Sequence, residues 1–252
     1  MVRIHPSLQN KTSIMDKHFD WMGYSWRITP FWGNYHKEKD NVWYGTESVL
    51  FDNDMLVLDC VYQPKEFQDN VCRNYNVGYV VCEEEFKYGV FEWTAKLPKG
   101  KNLWPALWLG CRKEWPPEID CMEAWSNTCM NSYLKRLFWL NIHPTIHWKE
   151  NEEHVSEAKF NILRWNVNQY GWNKYKVIWL PESISIYYND KLVKKFDNCN
   201  MLAHFNQKDI KMFPIMTFDI SEKYKPFDLK KYKDYKTNGC PFLVKDFRYE
   251  KI

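Results

Sequence analysis

Residues 103–111 read Leu103-Trp104-Pro105-Ala106-Leu107-Trp108-Leu109-Gly110-Cys111, and after Trp115-Pro116-Pro117 the chain continues Glu118-Ile119-Asp120-Cys121-Met122-Glu123. The first run follows a turn signal and reads as a strand, and the second keeps three acids in an otherwise apolar run. Along a strand successive side chains point to opposite faces, so Glu118 and Asp120 share one face. Strict alternation would then place Met122 beside them and turn Glu123 away. One extra residue, a β-bulge, returns Glu123 to the face of the other two acids. The stretch is therefore read as a bulged strand with three carboxylates in a row.

Working outward, turn and strand signals recur at short intervals. Residues 46–51 and 55–60 read as strands around Asp52-Asn53-Asp54, and residues 78–84 and 88–97 read as a second strand pair. Pro98-Lys99-Gly100-Lys101-Asn102 is a turn signal before the strand 103–111. Residues 175–180 and 183–188 form a hairpin around Pro181-Glu182, and Asn189-Asp190-Lys191 turns the chain into a strand over 192–196. Strands over 213–220 and 241–249 close the sequence. Helical patterns are confined to 156–163 and the neighbourhood of 201–205, and the Lys/Tyr-rich stretch 223–236 reads as a solvated loop. So many short strands predict an all-β protein, a β-sandwich. With no low-complexity linker and no repeat, residues 1–252 read as one domain, residues 1–20 forming a loosely ordered N-terminal extension.

The composition fits. Aromatic residues make up 18% of the 252, with 14 Trp, 16 Tyr and 15 Phe. Rings favour pleated, half-buried positions, and flat apolar faces also suit the C–H faces of sugars in an open cleft. Lys+Arg 35 against Asp+Glu 32 leaves a net charge of +3, without the basic stripe that nucleic-acid binding requires. The eight cysteines include no C-x-x-C pair and no zinc-finger spacing, so they read as free, mostly buried thiols. Residues 1–20 lack the apolar core of a signal peptide, and no run approaches the length of a membrane span.

Three acids in one row repel one another, which predicts that at least one stays protonated near neutral pH. Cleavage of a glycosidic bond requires two carboxyl groups in different protonation states flanking one bond. A bare Glu-x-Asp-x-x-Glu also fits a solvent-facing strand, so the flanks decide.

Those flanks resemble glycoside hydrolase family 16, the laminarinase, agarase and carrageenase group. The run Leu103-Trp104-Pro105-Ala106-Leu107-Trp108-Leu109 is similar to the family's Trp-Pro-Ala-Phe-Trp-Leu strand. Phe86-Lys87-Tyr88-Gly89-Val90-Phe91-Glu92 resembles the segment before it, and Tyr175-Lys176-Val177-Ile178-Trp179 with Ser183-Ile184-Ser185-Ile186-Tyr187-Tyr188 resembles a later hairpin. Phe242-Leu243-Val244-Lys245-Asp246-Phe247 is similar to the last strand. The resemblance implies a jelly roll of two curved antiparallel sheets with a concave substrate groove. It makes Glu118 the nucleophile, Glu123 the general acid/base and Asp120 the residue that hydrogen-bonds and tunes the nucleophile. Trp115 resembles the family tryptophan at the cleavage subsite, and Trp104 is a second groove candidate. A histidine near the acid/base is common in the family; of His143 and His147, His147 is the choice.

The implied activity is a retaining endo-β-glycanase, with β-1,3-glucan as first substrate and a β-linked galactan (agar, carrageenan or porphyran) as second. Water, or another sugar, would resolve the covalent intermediate. The competing reading is a carbohydrate-binding jelly roll without turnover. The polysaccharide is the expected partner, with no nucleic acid or membrane, and the chain is read as a monomer. No cofactor is expected to be required. Many members hold a structural calcium ion with an aspartate of the last strand, and Lys245-Asp246 departs from that pattern, as Pro117 departs from the glycine that often precedes the first glutamate. The family is usually secreted or periplasmic.

Overall fold

Alternating burial along the strands produces two packed sheets. The computed structural model describes residues 11–13, 17–35, 41–98, 103–126, 140–159, 167–168, 171–220 and 241–252. One sheet runs, in spatial order, β1 (Lys11–Ser13), β5 (Val49–Asp52), β6 (Met55–Leu58), β18 (Phe242–Glu250), β9 (Gly89–Lys96), β14 (Trp172–Leu180), β15 (Ser183–Tyr188) and β16 (Lys191–Phe196). The other runs β13 (Glu153–Ala158), β12 (Leu140–Glu150), β11 (Glu118–Ser126), β10 (Leu103–Cys111), β17 (Met212–Ile220), β8 (Val71–Cys82), β3 (Tyr24–Arg27) and β2 (His18–Trp21). The first half of β8 also pairs with β7 (Cys60–Phe67) and, in parallel, with β4 (Val42–Tyr44). The expected all-β sandwich is the observed architecture.

The core between the sheets is aromatic. Trp26, Trp93 and Trp179 are fully buried, as are Tyr175, Tyr188, Phe91 and Phe218. Trp26 of one sheet meets Phe247 of the other at 5.3 Å between ring centroids, and Phe247 meets Trp93 at 5.4 Å. Truncating a buried ring of this size typically costs about 3–5 kcal/mol. The sheets approach so closely at Gly78 that a Cβ there would lie 2.7 Å from the Leu58 Cβ, which requires glycine.

Several strand assignments differ in detail from the sequence reading. Thr46–Ser48 is a turn of 3-10 helix instead of strand. Residues 78–84 and 88–97 contribute to β8 and β9, which lie in different sheets and do not pair, because residues 83–88 carry the chain across the sandwich. Residues 156–158, expected as the start of a helix, are the end of β13. Asn151 and Glu152, at φ 52 and 64, close a two-residue turn that pairs β12 with β13, and cross-strand pairing overrides the local helical tendency. Residues 160–163 of that expected helix lie outside the described residues, as do residues 223–236 and 99–102 of the expected loops. The helix expected near 201–205 is α1 (Cys199–Phe205), capped by the Asn198 side chain, which accepts from the N–H groups of Asn200 and Met201. Within the expected N-terminal extension, Lys11–Ser13 and His18–Trp21 are strands, while residues 1–10 and 14–16 lie outside the described residues.

Six cysteines are described and all are free: Cys60, Cys82 and Cys121 are buried, Cys111 is half-buried, and Cys72 and Cys199 are exposed. Among the described residues no helix is long and apolar enough to cross a membrane.

One cross-sheet hydrogen bond braces the strand that carries the acids. The Tyr188 hydroxyl on β15 donates to the Cys121 carbonyl on β11 at 2.9 Å, in a buried setting. Tyr188→Phe strands that carbonyl and should lower stability by about 1–3 kcal/mol. A urea midpoint equal to that of the parent chain would sink this account.

Candidate active site

The irregularity anticipated in the acid stretch lies between Asp120 and Glu123. On one side Asp120 pairs with Trp108 and Glu123 with Ala106; on the other Glu118 pairs with His147, Asp120 with Thr145 and Glu123 with His143. Cys121 and Met122 thus together oppose Pro144 alone, and both are buried in the core. All three acids line one cleft, with side-chain exposures of 16%, 6% and 12% for Glu118, Asp120 and Glu123.

Each glutamate has its own hydrogen-bond donors. The Trp115 indole N–H donates to Glu118 Oε2 at 3.2 Å. The Trp104 indole N–H donates to Glu123 Oε1 at 3.2 Å, and the Thr145 hydroxyl donates to Glu123 Oε2 at 3.0 Å. His143 Nε2 lies 3.5 Å from Glu123 Oε2. His147 Nε2 lies 3.2 Å from Asp120 Oδ2 and 3.7 Å from Glu118 Oε1. The histidine beside Glu123 is therefore His143, and His147 serves Glu118 and Asp120 instead. The two residues are four apart on one strand face, so both reach the acid row, but the antiparallel register sets which acid each one meets.

The electrostatics follow from this enclosure. Burial pushes the Glu118 carboxyl well above the ordinary carboxylate range and the Asp120 charge adds to it, while His147 and the Trp115 N–H pull it back. Asp120 is raised by burial first and by Glu123 second. A carboxyl whose folded-state pKa is raised favours the folded chain only while protonated. That contribution is full below its ordinary value of 3.8 and is lost as pH rises through the raised folded value. Asp120→Asn should therefore melt higher than the parent at pH 7, by about 2–4 °C per kcal/mol of penalty removed, and the gain should vanish near pH 4. A variant that melts lower at pH 7 would show that the Asp120 charge is well compensated.

The cleft continues across β10 and β17. Trp104 pairs with Asp219 and Ala106 with Thr217, and all four line it. Tyr79 follows on β8, paired with Thr217. Trp32, Tyr44 and Trp108 complete an aromatic wall, with Trp32 54% and Trp115 56% exposed despite their size. Thr145, Trp32, Tyr79, Thr217 and Asp219 escaped the sequence reading. Thr145 alone had a local signal, since it lies between His143 and His147 in an alternating strand. Among the described residues, Glu118, Asp120 and His147 could together hold a cation, their ligand atoms lying within 4.8 Å of one another.

The arrangement is a pair of glutamates with separate donors and a buried aspartate between them, beneath a ring-lined open cleft. Such a cleft can hold a polymer and protonate one side of a bond while attacking the other.

Comparison with known proteins agrees. The pattern of Glycosyl hydrolases family 16 matches residues 36–222. A beta-glucanase of Rhodothermus marinus is 25% identical over 162 residues, covering 60% of this chain and 51% of that protein, so this chain spans about half that relative's length. Among solved structures, porphyranase B of Zobellia galactanivorans superposes with a TM-score of 0.70 at 15% identity, covering 98% of this chain and 97% of the other. The laminarinase catalytic domain of Thermotoga maritima MSB8 superposes with a TM-score of 0.64 at 21% identity, covering 98% of each chain. At these identities the two structures establish the shared fold.

Proposed function

We propose that this chain, which belongs to Glycosyl hydrolases family 16, is a retaining endo-β-glycanase that cuts internal bonds of a neutral β-glucan. The observation that carries the reading is the separate bonding of the two glutamates, Glu118 by Trp115 and Glu123 by Trp104 and Thr145. Two carboxyl groups held by different partners can occupy different protonation states, as double displacement requires. Glu123 protonates the glycosidic oxygen as the Glu118 carboxylate attacks the anomeric carbon, giving a glycosyl ester. Glu123 then takes a proton from the incoming water, which releases the sugar and restores Glu118. Asp120, its carboxyl raised by burial and by Glu123, lies between the two glutamates and tunes the charge on Glu118. No cofactor enters the sequence.

The lining of the cleft supports a neutral substrate. Its described residues include six aromatic rings (Trp32, Tyr44, Tyr79, Trp104, Trp108 and Trp115), four carboxylates and no lysine or arginine. Sulfate groups would meet that negative charge without a described cation to balance it. β-1,3-Glucan is accordingly the first choice, a β-glucan as substrate being in keeping with the name of the Rhodothermus relative, a beta-glucanase, and a β-linked galactan is the second.

The test is digestion of laminarin, mixed-linkage glucan, agarose, carrageenan and porphyran with purified protein, followed by product sizing and early-time NMR of the new anomeric centre. The expected result is a ladder of laminarin fragments whose new ends are β before they mutarotate. Binding without new reducing ends would favour the non-catalytic jelly roll, and initial α-anomers would overturn the retaining mechanism.

A further inference from the structure

Glycoside cleavage accounts for Glu118, Asp120 and Glu123, but it does not call for a paired set of histidines at the sheet edge. His147 Nδ1 lies 2.8 Å from His154 Nε2, and the two rings stack at 5.1 Å with 24° between their planes. His154 comes from β13, diagonally across the turn at Asn151-Glu152, and its ring centroid lies 4.7 Å from that of Trp115. The ring of His147 is thus held at Nδ1 by His154, and its Nε2 is turned toward the acid row. There it comes within 3.2 Å of Asp120 Oδ2 and 3.7 Å of Glu118 Oε1. Yet Asp120 Oδ2, fully buried, receives no hydrogen bond from the described residues. A neutral ring whose Nδ1–H donates to His154 presents at Nε2 a lone pair and no proton for that oxygen. Nε2 and one oxygen of each carboxylate lie within 4.8 Å of one another.

That is the geometry of a ligand set. We propose that Glu118, Asp120 and His147 form a binding site for one divalent transition-metal ion of the zinc type, whose occupation blocks the cleft. Three protein ligands of imidazole and carboxylate type with one position left open suit zinc, at about 2.0–2.2 Å per bond. Ligand atoms within 4.8 Å of one another close to such distances by small rotations of the long Glu118 side chain. Trp115 holds Glu118 Oε2, which leaves Oε1 on the histidine side. His154 supplies what a metal-bound histidine normally has, a hydrogen-bond partner on its other ring nitrogen that fixes tautomer and orientation. The ion neutralises two buried carboxylates that otherwise repel. The cluster of Glu114 with His204 has its carboxylate taken by Lys149 and offers no comparable set.

The inhibitory consequence rests on the reading of Glu118 as nucleophile; the binding does not. Zinc chloride titrated against a chromophoric zinc chelator at pH 7 reads binding without turnover, and laminarin cleavage with and without zinc reads the block. The parent should take up one equivalent and lose activity reversibly, with recovery on adding excess chelator. His147→Ala, with His147→Gln as a second variant should the first fail to fold by circular dichroism, should bind at least tenfold more weakly. His154→Phe should weaken binding about tenfold, the scale set by outer partners of metal ligands. Absence of stoichiometric zinc, or unchanged affinity in folded His147 variants, would overturn the site. A chain that binds zinc but cuts no polysaccharide keeps the site and removes the glycanase reading.

Discussion

Glu118→Ala should abolish polysaccharide cleavage, by about 10⁴-fold or more, on the scale seen when a covalent nucleophile is deleted. The chain should stay folded, because its alternating neighbours Ile119 and Cys121 anchor the strand in the core and the removed carboxyl is one that burial disfavours in its charged form. Sodium azide tests the role directly. A small anion can occupy the volume left by the carboxylate and attack the anomeric carbon of an activated β-glycosyl fluoride from the same side. With Glu123 intact, the product should be the α-glycosyl azide, and its rate should rise with azide concentration. Loss of activity without azide rescue would leave Glu118 as a binding or positioning group. Retention of more than a tenth of the parent rate would remove it from the chemistry altogether.

Glu123→Ala should produce the complementary pattern. Removing a general acid/base costs about 10²–10⁴-fold on a natural polymer, whose leaving group needs a proton. An aryl glycoside with an acidic phenol needs no such help, so formation of the glycosyl–enzyme should remain fast and its hydrolysis should become slow. A burst of phenol should appear, followed by a slow phase. Azide should accelerate that phase and yield the β-glycosyl azide, because two displacements restore the original configuration. Two opposite azide anomers from two neighbouring glutamates distinguish the roles as no loss of activity alone can. If both variants gave the same anomer, the assignment of nucleophile and acid/base would fall.

Much of this site is legible in the sequence because strand alternation is a local rule. The spacing Glu-x-Asp-x-x-Glu implies its own bulge, and the structure places the break in register between Asp120 and Glu123. The strand 103–111 has the bounds expected from its turn signals and composition. The errors have local causes too. Ser156 and Glu157 have acceptable helical tendencies, but they sit opposite His147 and Ile146 in a hairpin. Residues 78–84 and 88–97 are neighbours in sequence, yet the jelly roll sends them to different sheets.

What the chain determined by itself is the two-residue period of its strands, the bulge and the acid row, since each follows from the geometry of consecutive residues. Only the tertiary structure decided which residues meet that row. His143 faces Glu123, His147 faces Asp120 and Glu118, His154 backs His147, and Asp219 and Tyr79 enter the cleft from β17 and β8. These encounters depend on strand order and antiparallel register, which are set by how two whole sheets bury their aromatic faces against each other. No short stretch of sequence carries that choice, because the free energy that makes it is gained only when distant strands close the core together.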